Sequence, residues 1–287
     1  MKSVPPFWIG ALILAAGLTA MAAVETVRPL RRRREPRVRR TIRNLTTGVM
    51  SLAVVTFLQA PILMPLVRWA EAHGVGLLNL VRLPAAVEVV MAVLLLDYTL
   101  WHWHRINHRV PFFWRFHLVH HVDRDMDAST ALRFHFGEHA LSICWRVLQV
   151  MAIGPSPVAI WIFHVLLVAS ILFHHSNTRL PIRLERILVW LVVTPRMHGI
   201  HHSDFESEAN SNWSSLLSAW DYLHRTILLS IPQEKIVVGV PAYEAPEDVT
   251  IGRILVMPFR RQREDWRGPQ GAQVDRLHPG DETDLAP

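Results

Sequence analysis

The sequence predicts an all-α protein: a multi-pass transmembrane helical bundle with a cytosolic histidine-rich metal-binding cap. Three observations predict it. Of 287 residues, 51% are hydrophobic and 19% charged, a balance outside that of ordinary soluble domains. Apolar stretches long enough to cross a bilayer recur along the first 173 residues. Fourteen of the 17 histidines fall between His102 and His202. The one cysteine, Cys144, excludes a disulfide framework, a CxxC redox pair, a thiolate zinc site and an iron–sulfur cluster. Any electrons the protein uses therefore come from another molecule. The formal charge of +6 does not imply nucleic acid, because no basic stripe with interleaved aromatics follows the early arginine run.

The first element is a membrane helix from Val4 to Val24, a stretch without charge. A cleaved signal peptide is the rival reading, since Ala20-Met21-Ala22 resembles a cleavage site. The basic run follows the apolar segment instead of preceding it, which favours a retained span. Arg28, Arg31 to Arg34, Arg37, Arg39, Arg40 and Arg43 then form a loop whose charge holds it in the cytoplasm. A second span runs from about Leu45 to Val67 and a third from about Leu83 to Leu100, so the histidines that start at His102 emerge on the cytoplasmic side. Between Leu141 and Phe173, Gly154-Pro155-Ser156-Pro157 splits the apolar run into two short helices. Whether these cross fully or form a re-entrant hairpin, the chain returns to the same side. Beyond Ile231 the texture becomes mixed, with a candidate strand at Ile236-Val237-Val238 and a charged, disordered stretch from Arg260. The expected organisation is residues 1–44 as first span and arginine-rich loop, 45–232 as catalytic membrane unit and 233–287 as a cytosolic, partly disordered segment.

Histidine spacing carries the chemistry. His104 and His108 stand four apart, and His117, His120 and His121 repeat at i, i+3, i+4, as do His198, His201 and His202. Each set shares one helical face. Neutral imidazole is the commonest biological metal ligand, and eight such rings on one membrane face exceed what a core buries without partners. His135 and His175 are further expected ligands, with Glu138 and His174 as additional candidates, whereas His102, His139, His164 and His224 are left outside the set. His135-Phe136-Gly137-Glu138-His139 also satisfies the H-x-x-E-H pattern of inverted zinc peptidases, a reading that leaves the other clusters without purpose. One zinc takes four ligands, while two irons with five or six positions each absorb eight to ten. The count favours two irons poised for oxygen chemistry, with zinc as a substitute after purification. A non-catalytic histidine-rich membrane metal-binding protein or metal transporter is the alternative, but transporters set their ligands near the midplane, not at the ends of spans. A bis-histidine haem carrier would need facing histidine pairs within neighbouring spans.

His104-Arg105-Ile106-Asn107-His108, Phe116-His117-Leu118-Val119-His120-His121, His175-Ser176-Asn177 and Thr194-Pro195-Arg196-Met197-His198-Gly199-Ile200-His201-His202-Ser203 resemble, in order and spacing, the histidine boxes of the fatty acid hydroxylase/sterol desaturase superfamily. The resemblance covers roughly Ala86 to Phe259. It departs at Asn210-Ser211-Asn212-Trp213-Ser214, where the family has a glycine after the aromatic residue, and at Tyr222-Leu223-His224-Arg225-Thr226, where its glycine-threonine end is altered. The resemblance implies a membrane-bound non-haem di-iron oxygenase. Such an enzyme uses O2 and two electrons from an external donor (ferredoxin, cytochrome b5-like protein or reductase) to hydroxylate or desaturate a lipid, sterol or isoprenoid carbon. The implied ligands are His104, His108, His117, His120, His121, His135, His175, His198, His201 and His202. Asp123, Asp127, Asp204, Glu206 and Asp221 are expected to orient ligand rings. Trp101, Trp103, Phe113, Trp114 and Phe116 would line a substrate slot or form an interfacial belt. The composition suits a bacterial inner membrane.

Overall fold

A computed structural model describes residues 6–267; the expected disorder of 268–287 and the first residues of the N-terminal span lie outside them. The described residues are helical, with no strand and three isolated bridges. Helix α1 spans Phe7–Val27. Helix α2 (Arg37–Val54) continues through a π-helical turn at Val55–Gln59 into α3 (Ala60–Ala72). Pro61 and Pro65 each remove an i to i−4 hydrogen bond, and the looser π register accommodates that loss. Gln59, inside the turn, donates from Nε2 to Ser142 Oγ at 2.8 Å.

Helix α4 (Ala85–Arg109) is longer than expected. Its 25 residues rise about 37 Å, longer than the roughly 30 Å of hydrocarbon, so the helix is long enough to carry His104 and His108 on polar turns beyond its apolar stretch. Helix α5 (Pro111–His121) folds back after one extended residue, Val110. The segment expected as two short helices forms α6 (Phe136–Ile153) and α7 (Pro157–His175). Their junction obeys the turn signal: Gly154 caps α6 in the left-handed conformation, Ser156 Oγ accepts from Ala159 N, and Pro157 starts α7. A side chain at Gly76 would meet Gly154 N at 2.3 Å, so two glycine backbones pin this turn against the end of α3. The helices α1, α2–α3, α4 and α7 are long and apolar enough to cross a membrane.

Short helices complete the cap: α8 (Ile182–Leu188), α9 (Pro195–His201), α10 (Glu206–Ala209), α11 (Ala219–His224) and α12 (Ile251–Val256). One apolar cluster joins Leu14, Leu18 and Met21 of α1 to Leu172 of α7 and to Ala128 and Ala131. A second sets Ala92 and Leu96 of α4 against Ala159 and Phe163 of α7. Three corrections concern the segments on either side of the bundle. The arginine run is only partly a loop, because α2 begins at Arg37 and Arg40 is 2% exposed. There is no strand at 236–238; the segment lies beside the last histidine box, with Asp204 N donating to Val237 O and Gly239 N to His202 O. The chain stays packed through 260–267, where Trp114 Nε1 donates to Asp265 Oδ2 at 2.7 Å and Trp266 packs on the cluster around Trp114.

Candidate metal centre

All three histidine boxes fold onto one end of the bundle and divide into two groups. His104 and His108 of α4, His117 and His121 of α5 and His201 of α9 form the first. His120 of α5, His175 at the end of α7, His198 of α9 and His202 form the second. Within each group the candidate ligand atoms lie within 4.8 Å of one another. Helical spacing explains the division: on α5 the i, i+4 pair His117 and His121 faces one group and His120, rotated away, faces the other. On α9, His198 and His202 share a face while His201 turns to the first group.

Four of the nine rings are aimed by backbone carbonyls. Nδ1 of His104 bonds Trp213 O at 2.7 Å, that of His120 bonds Arg133 O at 3.2 Å, that of His175 bonds Ile171 O at 2.8 Å and that of His201 bonds Ser211 O at 2.8 Å. His117 Nδ1 instead bonds Glu138 Oε1 at 3.0 Å. A neutral ring whose Nδ1 carries the donated hydrogen presents a bare Nε2 lone pair on the other side. Burial, and then the neighbouring imidazoles, hold His120, His121, His198 and His202 well below the ordinary histidine value, and burial holds His201 at about 3. These rings are neutral at physiological pH.

The donor set fits metal. Nε2 of His108, His117, His121 and His201 is buried with no hydrogen-bond partner, a cost of a few kcal/mol per atom unless something binds there. In the second group His120 Nε2 stands 3.1 Å from His175 Nε2, with both Nδ1 atoms already spent on carbonyls, so two lone pairs face each other. His198 Nε2 lies 3.0 Å from His175 Nε2 and 3.2 Å from His202 Nε2. Nitrogens about 2.1 Å from a shared cation in octahedral array are spaced at about 3.0 Å.

The structure brings together nine of the ten expected ligands and leaves His135 out. His135 caps α6, its Nδ1 accepting from Gly137 N at 3.0 Å while Nε2 bonds Leu255 O at 3.1 Å. Glu138 stands behind His117. His174 lies beside the second group without joining it, its ring 4.1 Å from that of His198. Since Glu138 turns to His117, the peptidase constellation is not assembled.

The expectation that acids orient the rings is corrected for Asp123, Asp127 and Asp221. Asp123 and Asp127 bind Arg40, with Asp123 Oδ2 2.8 Å from its Nη2. Burial alone would raise the Asp123 carboxyl, but Arg40 and Arg133 overcome it and hold the group well below the carboxylate range. Arg133 also donates from Nε to Val119 O at 2.7 Å, fastening the end of α5. Asp221 accepts from Trp101 Nε1, Trp213 N, Ser214 N and Thr226 Oγ1, and so fixes the segment whose carbonyl aims His104. Arg31 closes the cap, its Nη2 donating to Pro195 O at 2.8 Å and Gln233 Oε1 at 2.6 Å. The expected slot aromatics are dispersed: Trp101 stacks on His224, Trp103 on Trp145, and Trp114 on Trp266. The carbonyl acceptors had no signal in the sequence, because every residue carries one; Asn107, which reaches Glu138 Oε1 at 3.4 Å, was visible inside the first box.

Residues 89–226 match the family model described as fatty acid hydroxylase. The chain is similar to the ornithine lipid hydroxylase OlsE of Rhizobium tropici, 31% identical over 141 residues, covering 49% of this chain and 41% of the relative. It is also similar to cholesterol 25-hydroxylase of Mus musculus (29% over 168 residues; 53% and 55%) and alkylglycerol monooxygenase of Xenopus tropicalis (30% over 146 residues; 50% and 31%). The matched segments thus span roughly a third to a little over half of these relatives. No solved structure matches the chain.

Proposed function

This chain belongs to the fatty acid hydroxylase/sterol desaturase superfamily, and on that premise we propose that it is a membrane-bound non-haem di-iron oxygenase acting on an unactivated C–H bond of a lipid. The observation that supports the reading is the His120–His175 pair, whose Nε2 atoms stand 3.1 Å apart while both Nδ1 atoms bond carbonyls, an arrangement that a cation shared by the two lone pairs would satisfy. Two irons would be held by His104, His108, His117, His121 and His201 on one side and by His120, His175, His198 and His202 on the other. Bound there, they supply O2 activation, with two electrons arriving from an external carrier.

The chain's own part is to hold rings, exclude water and present substrate. The carbonyls of Trp213, Arg133, Ile171 and Ser211 keep Nε2 unprotonated and aimed inward. Glu138 holds His117, and a carboxylate behind an imidazole raises its donor strength. Eight of the nine rings are buried and His108 is half-buried, so the site is largely shielded from bulk water, which protects an oxidising site from side reactions. The arginine-rich segment at this end of the bundle supports a cytoplasmic location, and the likeness to OlsE supports a bacterial inner membrane and a polar-lipid or other acyl substrate. Residues 45–232 form the catalytic unit in this reading, closed by Arg31, Arg40 and the segment after 232.

The test is metal content of detergent-purified protein by elemental analysis with Mössbauer spectroscopy, for wild type and for His120→Ala with His201→Ala, followed by lipidomics of cells with and without the gene. Two antiferromagnetically coupled irons per chain that vanish in the double variant, with loss of a hydroxylated or desaturated lipid, support the proposal. A single zinc, or metal independent of these histidines, overturns it.

A further inference from the structure

Arg105 and Arg109 follow His104 and His108 by one residue on α4, so a stripe of guanidinium groups runs beside the stripe of inward imidazoles. Both arginines are exposed, and both stand over the face of the same indole: Cζ lies 5.6 Å (Arg105) and 5.4 Å (Arg109) from the Trp213 ring centroid. Like charges one helical turn apart repel, and among the described residues no carboxylate pairs with either. The indole beneath them is 1% exposed, and the carbonyl of the same residue accepts the His104 Nδ1 hydrogen bond at 2.7 Å. Trp213 therefore touches the surface cations on one side and the first histidine group on the other. Its ring also lies 6.4 Å from that of His108 and 5.9 Å from that of Trp101, over which Arg105 is placed at 5.8 Å.

We propose that the Arg105–Arg109 face is the docking site of a small acidic one-electron carrier protein, and that Trp213 is the path by which its electron enters the first histidine group. The inference rests on the oxygenase reading, which requires two electrons that the chain cannot store. In each encounter the reduced carrier loses one electron and the metal group gains one. After two encounters, R–H, O2, two electrons and two protons yield R–OH and water. Trp213 is a conduit whose redox state is unchanged at the end. Charge complementarity selects the partner: an acidic surface relieves the repulsion between the two guanidiniums, accelerates encounter and gives a binding constant that weakens with salt.

The experiment uses iron-loaded full-length protein in nanodiscs, with a [2Fe–2S] ferredoxin and a soluble cytochrome b5 domain as acidic probes. Binding is measured at low and high salt, and anaerobic stopped-flow follows oxidation of the reduced probe. Arg105→Glu with Arg109→Glu is expected to weaken binding at least tenfold and flatten its salt dependence, while Arg32→Glu with Arg33→Glu leaves binding unchanged. Trp213→Leu is expected to slow transfer from the carrier at least fivefold relative to the variant's own rate of direct reduction by dithionite, whereas damage to the centre slows both together. The proposal is overturned if neither probe binds wild type at low salt, if the reversal at 105 and 109 leaves both probes unaffected, if the reversal at 32 and 33 acts equally, or if Trp213→Leu transfers normally. Reversal at 105 and 109 that lowers affinity only for anionic vesicles assigns the two arginines to lipid headgroups and also overturns it. If carrier binding behaves as expected but dithionite-reduced protein consumes no O2, the oxygenase reading fails while the docking surface stands.

Discussion

The rings of His121 and His202 lie nearly parallel, 13° apart in plane and 4.4 Å between centroids, although one belongs to each histidine group. The groups therefore share a wall, and a change at the wall reaches both. His121→Ala is expected to reduce bound iron to below one equivalent per chain, whereas His135→Ala, outside both groups, leaves metal content at the wild-type level. Elemental analysis of the two purified variants checks this.

Asp221 acts on His104 through a chain of two hydrogen bonds, from its carboxylate to Trp213 N and from Trp213 O to the ring. Asp221→Ala leaves three buried donors and the half-buried Thr226 hydroxyl without this acceptor, at about 1–3 kcal/mol for each buried donor before relaxation. The expected outcome is a fall in melting temperature of several degrees with metal lost in proportion, and a smaller effect for Asp221→Asn, both read by thermal unfolding in detergent.

Arg40 neutralises Asp123 at the end of α5. Arg40→Met removes the nearest cation from buried Asp123, leaving Arg43 and Arg133 beside it, and is expected to cost about 3 kcal/mol. Adding Asp123→Asn should recover part of that loss, and Arg40→Lys, which lacks the planar fork, should fall between wild type and Arg40→Met. Denaturant titration of these proteins together with the Asp123→Asn single variant measures the coupling.

Asp265 gives a pH dependence of known sign. Burial raises its carboxyl to about 6 from 3.8, against the lowering effect of Trp114 Nε1. Between those values the folded state binds more protons than the unfolded state, so the stability this group contributes is complete below about 4 and is lost as pH rises through about 6. Asp265→Asn is expected to remove that slope and to exceed wild type by on the order of 1 kcal/mol above pH 6.5. Melting curves from pH 5 to 7.5 check it.

The convergence of the histidines is legible in the sequence because helical periodicity makes i, i+3, i+4 histidines visible in one dimension. The division into two groups follows from the same geometry. His135 was not separable from the ligands, because a ring that caps a helix and a ring that faces a metal look alike without coordinates. The arginine run was read through its membrane logic, yet Arg40 and Arg43 have the environments of buried residues for a reason located 80 residues away, at Asp123. Hydropathy marks the apolar span only to about Leu100, while the shared face of His104 and His108 already implies helix beyond it, and α4 carries these polar turns on to Arg109. Asp221 was legible as an acid near the last box but not as a fixer of backbone.

The Arg31–Gln233 contact joins residues 202 positions apart, and it bears on how the protein is made. A ribosome delivers the first span and its arginines long before the last histidine box, and the residue that meets Arg31 comes later still. Until then α5 and the end of α4 hold a half-built set of neutral imidazoles open to water. Both histidine groups are complete only in a chain whose synthesis has passed His202, and the Arg31–Gln233 contact forms after that, so in the proposed reading metal loading and closure of the cap are both late steps of maturation.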